Sequence, residues 1–266
     1  MRWRILPSRR PSKAKRPVRT VAWVLLAVFV LPAVVAFALR LGAERPHWSD
    51  ADHAATGLAP SPFGTPEAVV QVYAARTWGL RGSVAVHTWI ATKRPGDHRY
   101  RRHEVIGWRL YRTGSALAQR DGSPDDQWFS NRPLLLLDRR GAGVAGLIDR
   151  IEAAIDEYPY AREYRTWPGP NSNTFTAYVG RRVPELGLQL PPTAIGKDYL
   201  ADGAWFGKPP SGRGLQLSIF GLAGVIASPR EGVEVNLLGL SAGVGAKPFG
   251  VKLPGLGALP PRTVDG

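Results

Sequence analysis

Cysteine is absent from the 266 residues, and this absence removes several classes of chemistry. Without cysteine the chain has no disulfide bond, no thiolate nucleophile and no thiolate metal site. Only 5 histidines are present, and neither a GxxxxGK[ST] loop nor a GxGxxG loop between a strand and a helix occurs. These are the residues and motifs on which zinc and nucleotide sites depend. We therefore expect neither a bound metal nor a cofactor.

Acidic residues are also scarce: the chain has 21 Asp and Glu against 35 Lys and Arg, which gives a net charge of +14. Such an excess is typical of nucleic-acid binding, but its distribution argues against it. Residues 1–20 hold eight basic side chains and no acidic one, which leaves +6 for the other 246 residues. We expect no nucleic-acid partner. The eight are Arg2, Arg4, Arg9, Arg10, Lys13, Lys15, Arg16 and Arg19.

Residues 21–39 follow this basic arm and contain no charge. As a helix they would be about 28 Å long, close to the thickness of a bilayer's hydrocarbon. A cleavable signal peptide is the alternative, since Ala36-Phe37-Ala38 matches a cleavage site. The apolar run exceeds the usual length of a signal peptide, so we favour an uncleaved transmembrane helix. The positive-inside bias then places residues 1–20 in the cytoplasm and exports the main domain, while helix and arm contact membrane lipids.

The rest of the chain predicts an α+β fold. Residues 40–66 have the composition of a linker, 67–202 form a core domain, and 203–266 form a glycine-rich β segment and tail of two or three strands. Within the core we expect a helix or strand over 67–78 and an apolar run at 134–137. Strands at 83–91 and 100–111 should form an antiparallel hairpin. Helices are expected over 144–158 and from the Asn171–Asn173 caps toward Val183.

Three motif matches have simpler explanations. Residues 239–243 match the GxSxG nucleophile elbow, but every histidine lies upstream of Ser241, so we interpret the match as a strand end with small packing residues. His103-Glu104 starts an HExxH motif that fails at Gly107. Glu231 and Glu234 suggest the paired carboxylates of glycosidases, although solvent-facing strand charges explain them more simply.

Two further segments have both a structural and a functional interpretation. His87 lies within a predicted strand among apolar neighbours, where a core histidine is the simpler explanation. The second segment contains Tyr158-Pro-Tyr160, Trp167 and the run Asn171-Ser-Asn-Thr174. Its simpler explanation is a turn followed by a helix cap at the Asn171 run. The YPY and NSNT motifs, at this spacing and behind a membrane helix, resemble the bacterial family of the domain of unknown function 3750. That resemblance covers roughly residues 70–255 and implies no activity, because the family is functionally uncharacterised.

A more distant resemblance is to circularly permuted papain-like hydrolases and acyltransferases. These present a strand histidine first and an Asn-Cys-x-x-Phe motif at a helix start later. The resemblance implies a permuted papain-like core with Ser172 as nucleophile, His87 as base and His103 or Glu104 as the residue that orients it. Backbone N–H groups near Asn173 would bind the oxyanion. Ser172 replaces the family's cysteine, so a true serine enzyme and a domain that has lost catalysis both stay open.

The candidate site is completed by six binding residues, Asn171, Asn173, Thr174, Tyr158, Tyr160 and Trp167. The aromatic ones either line a groove or belong to the core. Two functions follow. The first is a hydrolase or acyltransferase that acts on an envelope substrate such as a peptide, lipid or lipoprotein. The second is a non-catalytic envelope module that binds or scaffolds a partner in the same groove. In both, the helix sits in the bacterial inner membrane and the main domain in the periplasm.

Overall fold

The computed structural model describes residues 15–42 and 46–261. Most of the predicted basic arm therefore lies outside the described residues. The helices are α1 Lys15–Leu25, α2 Leu31–Leu41, α3 Gly107–Thr113, α4 Val144–Asp156 and α5 Ser172–Arg182. The strands are β1 Val69–Arg76, β2 Val86–Lys93, β3 Arg101–Val105, β4 Leu117–Asp121, β5 Leu134–Arg140, β6 Phe206–Gly207, β7 Leu215–Ile219, β8 Ala223–Ser228, β9 Gly232–Leu237, β10 Leu240–Ala246, β11 Phe249–Leu253 and β12 Gly257–Leu259.

The predicted N-terminal helix is present and continuous, since a π-helical turn at Leu26–Val30 joins α1 to α2. Its apolar stretch Pro17–Leu41 covers 25 residues with a mean hydropathy of 2.7, long and apolar enough to cross a membrane. Phe29, Pro32 and Ala36 are buried along one stripe of this helix. The helix therefore packs against the rest of the molecule along one side and exposes apolar side chains elsewhere.

The first sheet has five antiparallel strands in the order β4-β3-β2-β1-β5. The predicted hairpin is confirmed, because β2 and β3 pair antiparallel with Ile90 opposite His103. The expected strand over 100–111 is wrong in its second half, which forms α3. Trp108 and Tyr111 are exposed by 50% and 91% on this two-turn helix.

One face of this sheet packs against α4 and α5 and forms the main core. Helix α4 buries Leu147, Ile148, Ile151 and Ile155 at helical spacing, as the sequence predicts. Helix α5 starts at Ser172 behind an Asn171 cap, also as predicted. Both helices lie on the face to which the even-numbered residues of β2 point, including Thr88.

The opposite face is covered by the segment 123–131, with Tyr73, Trp89 and Trp128 in a second cluster. Residues of the predicted linker hold this segment in place. The backbone N–H and hydroxyl groups of Thr56 both donate to the carbonyl of Asp125. Phe129 and Ser130 adopt positive φ angles of 48° and 62°, which non-glycine residues seldom do.

The glycine-rich segment forms an antiparallel meander of seven strands, more than the two or three that the sequence predicted. Glycine-rich stretches such as Leu240–Ala246 carry little side-chain alternation, so periodicity detected only β7 and β9. Ser241 is buried in β10, which confirms that the GxSxG match is a strand with small packing residues.

A buried ionic network joins the meander to the core domain. Lys197 lies 2.9 Å from Glu234 and 3.1 Å from Asp198, and Lys252 also pairs with Glu234. Glu231 is 1% exposed and accepts hydrogen bonds from Ser211 and Ser228. The interpretation of Glu231 and Glu234 as solvent-facing charges is therefore wrong, because the polar face of this sheet is the buried one.

Candidate functional site

His87 and Glu104 lie together on the sheet face beneath Trp128. His87 Nε2 is 3.0 Å from Glu104 Oε2, and the two residues are 4% and 0% exposed. They come from neighbouring strands, and alternation along β2 and β3 directs both side chains to this face. The structure thus brings His87 to Glu104, one of the two residues expected to orient it.

Two arginines neutralise the Glu104 carboxylate. Arg102 Nη2 donates to Oε2 at 2.9 Å, and Arg120 Nη2 donates to Oε1 at 3.2 Å. Burial raises the pKa of Glu104, but the charge of Arg102 and the hydrogen bond from His87 outweigh burial and lower it to about 2. Glu104 is therefore ionised at neutral pH.

The imidazole of His87 is neutral in this environment. Burial lowers its pKa below the ordinary value, and this effect outweighs the hydrogen bond and charge of Glu104, which favour the protonated ring. An ionised carboxylate only accepts hydrogen bonds, so the neutral ring donates from Nε2. Nδ1 is then the unprotonated nitrogen, and it makes no hydrogen bond to any described residue.

Aromatic rings pack around this pair. The His87 ring stacks on Trp128 with centroids 3.7 Å apart, and the Arg102 guanidinium lies 4.1 Å from the centroid of Trp89. Trp108 packs 5.7 Å from Trp128 on the outside. Such stacking holds the imidazole in one orientation and separates it from solvent.

The start of α5 is held by side chains of the NSNT motif. Asn171 Oδ1 accepts from the backbone N–H groups of Asn173 and Thr174, and Thr174 Oγ1 accepts from the N–H of Asn171, a reciprocal capping box. The Asn171 amide also donates to Thr166 and Ile195. Asn171 and Thr174 therefore position the helix start.

This cap corrects the expected oxyanion site. The N–H groups of Asn173 and Thr174 already donate to Asn171 Oδ1, at 2.9 and 3.2 Å, so they are engaged. The N–H of Ser172 itself, at the first helical position, makes no hydrogen bond among the described residues.

Ser172 is held directly beside β2. Thr88 Oγ1 lies 3.3 Å from the Ser172 carbonyl oxygen and 3.0 Å from Asn173 Oδ1. Asn173 Nδ2 donates to the carbonyl of Val86 at 2.9 Å, so the helix start is joined to the residues on both sides of His87. Ser172 is 4% exposed, and its hydroxyl makes no hydrogen bond to any described residue.

Ser172 and His87 lie on opposite faces of the sheet. Thr88 points toward α5, so alternation directs His87 to the other face, and no hydrogen bond joins His87 to Ser172. The pairing of β2 with β3 ends at Ile90 and His103, so the two strands have no main-chain ladder at the level of His87.

The other expected site residues lie apart from this pair. His103 faces the helices, where its nitrogens contact Thr92 Oγ1 and Gln119 Oε1, and burial lowers its pKa to about 4. Tyr158 belongs to the core beside Phe175. Tyr160 accepts from the N–H of Asp202, and Trp167 donates to Leu238 in the meander. These three aromatics therefore line no common groove with Ser172.

Cavities of about 340 and 550 Å³ lie elsewhere in the fold, and neither is lined by His87 or Ser172. The smaller one is bordered by Arg94, Arg101, Asp121 and Glu152. Within the described ranges, no group of three or more His, Asp or Glu side chains is arranged to hold a metal ion.

The family model described as "Protein of unknown function (DUF3750)" matches residues 67–199, half of the chain. The chain belongs to the DUF3750 family. The matched region contains both the His87–Glu104 pair and the capped start of α5, whereas the meander lies beyond it. Comparisons with curated proteins and with solved structures find no match.

Within the DUF3750 region, sequence reasoning missed the residues that surround the pair. Arg102 and Glu104 are two apart on a strand, a spacing that places both on one face, so this partner was detectable. Trp128 lies in the polar stretch 120–131, and nothing in its local pattern predicts that it stacks on His87.

Proposed function

We propose that the protein is a membrane-anchored hydrolase or acyltransferase of the bacterial envelope with Ser172 as nucleophile, His87 as base and Glu104 as the residue that orients it. One observation carries the proposal. The His87–Glu104 hydrogen bond leaves Nδ1 without a partner, on the strand whose next residue holds the start of α5. An unpartnered serine hydroxyl at that helix start is the matching nucleophile.

The proposed reaction has two steps. His87 lies on the sheet face opposite Ser172, so the first step requires the start of β2 to rearrange and bring His87 Nδ1 to the Ser172 hydroxyl. The hydroxyl then attacks a carbonyl carbon while His87 Nδ1 takes its proton, and Glu104 stabilises the imidazolium that forms. The Ser172 N–H donates to the developing oxyanion at the positive end of α5. Collapse transfers the proton to the leaving group and gives an acyl-serine, which water or an acceptor nucleophile then resolves.

The direct test is labelling of the full chain in detergent with a fluorophosphonate probe. We expect labelling of the wild type, none of Ser172→Ala, and wild-type labelling of Ser241→Ala, the buried serine of the GxSxG match. Glu104→Gln should label at least tenfold more slowly, since general base assistance contributes about 10²–10⁴-fold. Equal labelling of the wild type and Ser172→Ala would remove Ser172 from the mechanism.

A second candidate is a non-catalytic envelope binding module, and the closure of the site favours it. His87 and Ser172 are both 4% exposed, and Trp128 covers the imidazole. Displacing Trp128 would expose the imidazole alone, since Ser172 is buried on the other face of the sheet beside α5. Trp128→Ala distinguishes the two: an enzyme gains probe labelling when the ring is removed, whereas a binding module stays unlabelled.

The proposed location has an independent test. The charge bias predicts that the domain after the helix is periplasmic in the bacterial inner membrane. An alkaline phosphatase fusion after residue 60 is expected to be active. A fusion that is stably expressed but inactive would refute export and leave the anchoring helix unaffected.

A further inference from the structure

The outer face of the seven-stranded meander is apolar, the reverse of an ordinary antiparallel sheet. In β7, Leu215, Leu217 and Ile219 are exposed by 76%, 38% and 42%, whereas Gln216 and Ser218 are buried. One-sided antiparallel sheets in water usually bury their apolar residues and expose the polar ones. Here the alternation is present and its direction is inverted.

The inversion extends across the whole sheet. Register places Leu217, Val225 and Val235 in one cross-strand row and Val233, Val244 and Val251 in another. Along the described strands β6–β12, no charged side chain shares this face with them. The exposed members include Leu215, Leu217, Ile219, Val225, Val233, Val235, Val244, Phe249, Val251 and Leu259.

The buried polar face shows that the inversion is built into the fold. Glu234 is held between Lys197 and Lys252, and Gln216 donates to Asp198 at 2.9 Å. A slip of one residue would expose this network and bury the valines, so the ionic contacts fix which face is outside. The apolar face is therefore a specified outer surface.

The N-terminal helix indicates what covers this face. Its turn Leu26–Val30 contacts β10, and Ala242 of that strand, although on the apolar face, is 5% exposed. Farther along the helix, Ala36 packs against Gly255 in the turn between β11 and β12. The helix exposes Val24 and Val34 by 55% each, away from its packed stripe. A hydrocarbon medium around the helix therefore also reaches the sheet.

We propose that the apolar face of the meander contacts the hydrocarbon of the same membrane that holds the N-terminal helix. The sheet packs beside the half of the helix from Leu26 onward and so meets one leaflet. It does not cross the bilayer, because open strand edges are excluded from hydrocarbon and β6 and β12 are such edges. Trp205 and Phe249, exposed by 52% and 78% at its margins, and Lys247 in the β10–β11 turn suit the headgroup level. The core domain is then held against the membrane surface.

The absence of cysteine allows a direct test with single-cysteine variants of the full chain. Val225→Cys and Val235→Cys report on the face, Val34→Cys on the helix and Ala153→Cys on the exposed side of α4. Each is labelled with bimane and reconstituted into phosphatidylcholine–phosphatidylglycerol vesicles. We expect brominated acyl chains to quench positions 225, 235 and 34 at least threefold more than 153, and aqueous iodide to show the reverse order.

Three results would overturn the proposal. In the first, brominated lipid quenches the label at position 34 while iodide quenches the labels at 225 and 235, which means that the helix is inserted and the sheet face is in water. In the second, iodide also quenches the label at position 34, which means that the helix is not inserted in the membrane. An oxidative cross-link between two Val235→Cys chains, with both quenchers excluded, assigns the face to a second copy. None of these outcomes depends on the catalytic proposal, which the probe labelling tests separately.

Discussion

At the scale of single residues, Glu104 carries two tasks from one buried position. Its carboxylate holds the imidazole of His87 and also neutralises Arg102, whose side chain is 2% exposed. A buried charge without its partner is strongly destabilising, so the same residue that orients the proposed base also determines whether the sheet face is stable.

We expect Glu104→Gln to lower the free energy of unfolding by about 3 kcal/mol or more, because it leaves Arg102 as a buried, unpaired cation. Urea unfolding of the full chain in detergent measures the change. Asp149→Asn is the matched control, since it removes an exposed partner of Arg94 and should cost about 0.5 kcal/mol or less. A similar small loss for both variants would show that Arg102 does not need the carboxylate.

His103 predicts a pH dependence. Its folded-state pKa of about 4 lies below the ordinary 6.5, so the unfolded chain takes up the proton first as the pH falls. The stability linked to His103 is complete above pH 6.5 and is lost toward pH 4, where the loss approaches about 3 kcal/mol. We would measure the free energy of unfolding of the wild type and of His103→Gln at pH 7 and at pH 4. The decrease between the two pH values should be smaller in the variant. Equal pH effects would contradict this assignment.

At the scale of elements, α5 depends on its first turn. Asn171 satisfies two backbone donors of the helix and two carbonyls outside it, all in a buried site. The helix start in turn places Ser172 beside β2. A change in this cap therefore moves the candidate nucleophile as well as the helix.

We expect Asn171→Ala to destabilise the protein by about 2 kcal/mol, through loss of the cap and of buried hydrogen bonds. Asn171→Asp keeps the acceptor for the helix but loses the donor to Thr166 and Ile195, so its loss should be smaller. Thermal unfolding should rank the wild type as most stable, Asn171→Asp next and Asn171→Ala last. If the Asp variant were as unstable as the Ala variant, the donated hydrogen bonds and not the cap would dominate.

Local signals explain which elements the sequence predicts. The cap and period of α5 and α4 are local, so both helices are predicted to within one or two residues. The β character of the C-terminal segment is predicted, but four or five of its seven strands and the helix at Gly107–Thr113 are missed, because glycine and aromatic residues obscure the period there. The pairing of His87 with Glu104 was proposed from a resemblance, whereas Trp128 and the burial of Glu234 depend on contacts distant in sequence.

At the scale of the whole molecule, the N-terminal helix is part of the folded body. Its buried stripe includes Ala36, and a Cβ added to Gly255 would lie 2.6 Å from the Ala36 Cβ. Arg40 at the helix end donates to Asn131, the last residue of the segment that covers His87. Under the proposed membrane insertion, the helix would set the height of the core domain above the bilayer.

This packing predicts a cross-link in an otherwise cysteine-free chain. We expect Ala36→Cys with Gly255→Cys to form an intramolecular disulfide on mild oxidation, because a small shift brings the two Cβ atoms into disulfide range. Val35→Cys with Gly255→Cys is the control, since Val35 is 40% exposed on another side of the helix. Thiol counting with a maleimide–polyethylene glycol reagent should find no free thiol in the first pair and two in the second. Two free thiols in both would mean that the helix is a flexible tether, and the domain would then hang free of the membrane instead of lying on it.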